Sequence, residues 1–120
     1  MIKSVAREIN YKGKSYKIVF NLNVMQAIQD EYGTLDRWGE LTDGKAHEGE
    51  TDVKALIFGL KEMLNEGIEI SNEDNGTDTP LLTSKQVGRM LTEVGIEAAT
   101  EQMNDLVIDS TKSEGDSKNG

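Results

Sequence analysis

The stretch TDVKALIFGLKEMLNEG, residues 51–67, decides the fold. Val53, Leu56, Ile57, Leu60, Met63 and Leu64 recur at the i, i+3, i+4, i+7 spacing of a helix that buries one face. At roughly 100° per residue they fall within an arc of about 120°, a full core-facing stripe. Lys54, Lys61, Glu62, Asn65 and Glu66 project on the other side. Thr51 stands as the N-cap, Asp52 favours the positive end of the helix dipole, and Gly67 sits where a left-handed C-cap residue belongs. Burying the stripe is worth roughly 9–18 kcal/mol gross before ordering entropy is subtracted, so the other elements are expected to pack on this helix. Phe58 falls off the stripe, on the lysine side. It needs a second packing partner or another protein.

Before this helix, Val5, Arg7, Ile9 and then Tyr16, Ile18, Phe20 alternate across KGK. That pattern predicts a β-hairpin, roughly 4–11 paired with 14–20, with Gly13 in the turn. A lone hairpin is marginal in water, so its apolar face should lie on the helices. Its open edges offer strand addition to another copy, while Lys3, Lys12, Lys14 and Lys17 would guard against the same event. Both readings stand at this level.

From Asn21 the period changes to 3.6, with Asn23 as N-cap, Gln26 reaching back, Val24, Ala27, Ile28 and Tyr32 on the buried side, and Gly33 ending the helix. Leu35, Trp38 and Leu41 suggest a single helical turn under the core. Trp38, the one tryptophan, reads either as a core anchor or as a binding hot spot. Residues 42–50 are polar and glycine-rich and predict a flexible loop in which His47 is an exposed bystander.

After Gly67 the chain runs through Ile68 and Ile70 into NEDNGTDTP, residues 72–80, which reads as a mobile acidic loop with a turn at Asn75-Gly76. A calcium loop with Gly76 as turn glycine would put Ser71, Glu73 and Asn75 at positions one, three and five. It would put Leu82 where the bidentate Glu must stand, so the match fails. Thr83 and Gln86 form a capping box ahead of Val87, Met90, Leu91 and Val94. At Gly95 the phase slips, and Ile96, Ala99, Met103, Leu106 and Val107 resume it, which predicts two helices meeting at a corner. From Asp109 no apolar residue remains, and disorder is expected. The fold class is therefore α+β, mostly α: a hairpin packed on a small bundle of about four helices, one domain over 1–108 and a polar tail over 109–120.

The 120 residues carry a formal charge of −9, with no cysteine. Residues 1–20 hold five basic residues and one acidic, while the remainder sums to −13. Nucleic acid is not an expected partner, because phosphate contacts need clustered Lys and Arg. The asymmetry suits head-to-tail association into a homo-oligomer, attraction of a basic partner, or simple solvation. Ala55–Phe58 is the longest apolar run and the N-terminus has no signal-peptide core, so a soluble, unexported chain with no membrane partner is expected. No phosphate loop, nucleophile elbow or ligand-spaced histidine appears, so no enzyme activity, catalytic residue, metal or cofactor is expected.

YKIVFNLNVMQAIQDEYGTL (Tyr16–Leu35), ALIFGLKEML (Ala55–Leu64) and LLTSKQVGRML (Leu81–Leu91), in this order, resemble the small tail assembly chaperones of long-tailed phages (siphoviruses) of Gram-positive bacteria. The resemblance implies a non-virion helper in the host cytoplasm. It would bind the tape measure protein, keep its apolar helices from aggregating and recruit major tail tube protein subunits. It also implies a longer form made by ribosomal frameshift, joined at the tail from Asp109. Such a helper needs adaptable apolar surface. Phe58, Trp38, Met63, Met90 and Met103, with Met25, are the candidate partner-binding residues, Phe58 foremost. The rival expectation is an acidic inhibitor or DNA mimic that uses the negative body to fill a basic groove.

Overall fold

The computed structural model describes residues 5–43 and 49–119. The chain is α+β and mostly helical. An antiparallel hairpin, β1 (Val5–Tyr11) and β2 (Lys14–Phe20), is followed by α1 (Leu22–Tyr32), α2 (Leu35–Asp43), α3 (Val53–Asn75), α4 (Ser84–Val94) and α5 (Ile96–Asn119). Among the described residues there are five helices, in the small bundle that the sequence predicts, with the Leu35–Trp38–Leu41 segment a helix of nine residues rather than a single turn. His47 lies outside the described residues.

The hairpin pairs Tyr11 with Lys14, Ile9 with Tyr16 and Arg7 with Ile18. Lys12 and Gly13 both take positive φ, 51° and 75°, the mirror-image turn that matches strand twist in a two-residue loop. Opposed residues share a face, which sends Ile9, Ile18 and Phe20 into the core. In this register Lys17 falls at a position whose backbone groups point away from β1.

Helix α3 lies against that outer edge of β2. A Cβ on Gly67 would stand 2.6 Å from the Lys17 carbonyl oxygen, so only glycine allows the approach. Gly67 is thus an interior contact residue rather than a C-cap. The helix runs on to Asn75 and ends at Gly76, whose φ of 64° is left-handed and whose N–H bonds the Asn72 carbonyl. At the other end Asp52, not Thr51, is the N-cap, accepting from the Ala55 N–H at 3.0 Å. The buried face also differs from the expected stripe. Val53 is 48% exposed, whereas Ala55 and Gly59 are buried. The cause is Trp38, whose indole lies on Gly59 so closely that a Cβ there would come 2.3 Å from the ring. Its Nε1 donates to the Ala55 carbonyl at 3.0 Å.

The expected acidic loop is largely structured. Its first residues are the last turn of α3, and the chain beyond Gly76 is pinned back along that helix. The Asn72 amide donates to the Thr79 carbonyl and accepts from the Thr79 N–H, both at 3.0 Å. Two turns earlier, Asn65 does the same with Leu82, at 3.1 and 2.8 Å. Each amide stands in for a neighbouring peptide unit. The registers agree: seven residues of helix rise about 10.5 Å and three of extended chain about 10 Å.

At α1 the N-cap is Asn21 rather than Asn23, accepting from the Val24 N–H. Both asparagine amides donate to Glu66 on α3, at 2.7 and 3.1 Å. The capping box of Thr83 and Gln86 opens α4, and α4 and α5 meet at Gly95. Helix α5 continues past Asp109, where disorder is expected from the sequence. Arg7 of β1 forms an ion pair with Asp109, Ser110 is buried, and the Thr111 hydroxyl donates to the Val107 carbonyl. These polar ties order the helix where no apolar residue remains to do so.

Gly59→Ala is expected to lower stability by about 2–3 kcal/mol, because the ring of Trp38 must leave both the cleft and its hydrogen bond. Urea denaturation with Trp38 fluorescence as the probe measures it.

Candidate functional site

The aromatic and methionine candidates separate sharply by burial. Trp38, Met63, Met90 and Met103 are all 2% exposed or less and lie in the core cluster. They are core residues, and the expectation that they form a partner-binding surface gives way. Each sits on the buried stripe of its own helix, where methionine fills irregular space. Met25 is half-buried against the same cluster. Of the five foremost candidates, Phe58 alone keeps part of its ring at the surface.

Two helices position Phe58. Helix α1 ends at Tyr32 because Gly33 comes next, closing the helix with its N–H on the Gln29 carbonyl. Helix α3 starts at the Asp52 cap and presents Phe58 in its second turn. The packing of α1 on α3 then brings the rings of Tyr32 and Phe58 together edge to face, with centroids 5.5 Å apart and an interplanar angle of 76°. Such a pair contributes roughly 0.5–1.5 kcal/mol beyond burial of its area. Tyr32 is the second packing partner that Phe58 requires.

The two rings form one side of an open cleft of about 420 Å³, completed by Val53 and Ile57, with Glu31, Lys54 and Ser84 around it. Its surface is overwhelmingly apolar. Val53 is exposed and Ile57 half-buried, so the first turns of α3 carry unburied aliphatic surface on the side away from the core. The Tyr32 hydroxyl is held protonated well into alkaline conditions: burial raises its pKa, and the Asp52 and Glu31 carboxylates raise it further. The cleft therefore presents neutral aromatic and aliphatic surface, suited to binding apolar side chains rather than to acid–base chemistry.

Among the described residues no group of His, Cys, Asp or Glu could hold a metal ion, and no helix is long and apolar enough to cross a membrane. Comparison of the chain with family models, with curated proteins and with solved structures gives no match.

In the sequence Phe58 stands out through its phase, whereas Tyr32, Val53 and Ile57 read as residues of buried faces. The signal for Val53 is its place in the first helical turn, where a stripe residue can overhang the end of the core.

Phe58→Asp is expected to fold, at a cost of about 2 kcal/mol, half the usual loss for a fully buried phenylalanine. Circular dichroism and a thermal melt check this, and an unfolded variant would make Phe58 a core residue.

Proposed function

We propose that the chain is a tail assembly chaperone of a long-tailed phage, acting without catalysis in the host cytoplasm. It binds apolar helical segments of the tape measure protein and helps to recruit tail tube subunits. The observation that carries this reading is the apolar cleft at Phe58 and Tyr32. Tyr32 belongs to the Tyr16–Leu35 segment and Phe58 to Ala55–Leu64, both of which carry the resemblance, while Leu81–Leu91 adds Ser84 at the rim. The likeness in sequence and the half-buried aromatic pair thus coincide in one place.

The physics fits a holding function. An amphipathic helix can lay apolar side chains at i, i+3 and i+4 into such a cleft while its polar face stays in water. The Tyr32–Phe58 ring pair is rigid in two torsions each, so it offers contact area with little ordering cost. A small open cleft holds its client weakly enough to release it, which assembly onto the growing tail requires.

The test is light scattering of the phage's own tape measure protein as it is diluted from denaturant. Equimolar wild-type chain is expected to suppress the scattering, and Phe58→Asp to lose most of that effect while still folded. Equal suppression by the folded variant would remove the cleft from the mechanism. A slippery heptamer with an overlapping −1 frame in the DNA beyond Asp109 is the expected genetic counterpart.

A further inference from the structure

A second surface, sharing no residue with the Phe58 cleft, lies between α2 and the latter part of α5. It is a groove of about 710 Å³. On the α5 side Val107 and Ile108 line it, and Ile108 is 52% exposed although Leu106 beside it is fully buried. On the α2 side Asp36, Glu40 and Asp43 line it at i, i+4 and i+7, one acidic stripe along one helix face. Three of the residues that line the groove are acidic and none is basic, and the nearby Arg37 reaches Glu40 at 3.9 Å with both side chains exposed.

Between the acids stands Gly39. A glycine inside a helix weakens it relative to alanine, so each one calls for a reason. Gly59 has the Trp38 ring and Gly67 the Lys17 carbonyl. A Cβ built on Gly39 meets nothing within 4 Å, and its φ is not among the positive ones. Nothing among the described residues requires glycine there. What the missing side chain does provide is a low point in the α2 wall, where another backbone can come close.

We propose that the α2–α5 groove is a docking site for a basic amphipathic helix. The partner's backbone crosses α2 at Gly39, and its apolar side chains cover Val107 and Ile108. Its Lys and Arg side chains lie along Asp36, Glu40 and Asp43. A helix fits because two helical walls leave the trough that a third helix fills by ridges-into-grooves packing. A basic one fits because the wall offers carboxylates at the spacing of successive helical turns. Trp38 lies buried beneath the groove, so occupancy is reported by the one tryptophan of the chain without its being a contact residue.

The experiment is an NMR titration of the labelled chain with two synthetic helices of about five turns. They share one Leu/Ala face, and differ in carrying Lys/Arg or Glu beside it. The basic helix is expected to shift α2 and α5 amides and the Trp38 indole resonance saturably, and the acidic helix to leave them unmoved. Gly39→Leu is expected to weaken the basic helix by roughly tenfold or more. Its melting temperature should match or exceed wild type, since the fold has room for the side chain. Glu40→Lys, at an exposed position, provides a second variant with the same expected loss. Equal shifts from both helices, shifts centred elsewhere, or wild-type affinity in either folded variant would overturn the proposal.

Discussion

Two close approaches to one helix hold this structure together. The indole of Trp38 rests on Gly59 and the carbonyl of Lys17 on Gly67, both on α3. At about 100° per residue the two glycines lie roughly 80° apart around the axis, two turns along. One therefore receives α2 and the other the edge of β2. The contacts replace two side chains with the backbone of α3 itself, so a neighbouring ring and a strand edge sit closer than any larger residue would permit. The positions of the hairpin and of α2 depend on them. So does the covering of β2's outer edge at Lys17, which limits strand addition at that point.

That dependence also explains what the sequence can and cannot tell. The apolar period of α3, the KGK turn, the Thr83 capping box and the corner at Gly95 are local events, and local pattern reveals them. Gly67 is different. Glycine at a helix end and glycine under a strand edge are the same letter, and only the position of Lys17 distinguishes them. The N-caps miss by one or two places because Thr51 and Asp52, like Asn21 and Asn23, are neighbouring candidates of similar capping strength. Asn65 and Asn72 look like ordinary surface polar residues until the chain after Gly76 turns back along them. At the candidate site Phe58 is legible, since it breaks the phase of its helix. Its contact with Tyr32 is not, because the two rings belong to helices whose crossing no local pattern encodes.

The same molecule presents two kinds of surface. The cleft at the start of α3 is neutral, aromatic and aliphatic. The trough between α2 and α5 pairs an apolar wall with an acidic one. A negatively charged body repels other acidic chains and keeps exposed apolar surface from nonspecific association, at little cost in specific apolar binding. A protein meant to hold apolar helices without aggregating benefits from that combination. On the proposed chaperone reading, apolar burial would supply the attraction and charge would discourage unsuitable acidic partners.

Ionic strength separates this reading most directly from an acidic inhibitor. The measurement is the affinity of the chain for an apolar helical segment of the tape measure protein between about 50 mM and 500 mM salt, a range over which charge contacts are heavily screened. Burial of apolar side chains in the Phe58 cleft predicts an affinity that changes by no more than about threefold or strengthens. A fall of about a hundredfold or more would contradict it and place the binding in the carboxylates.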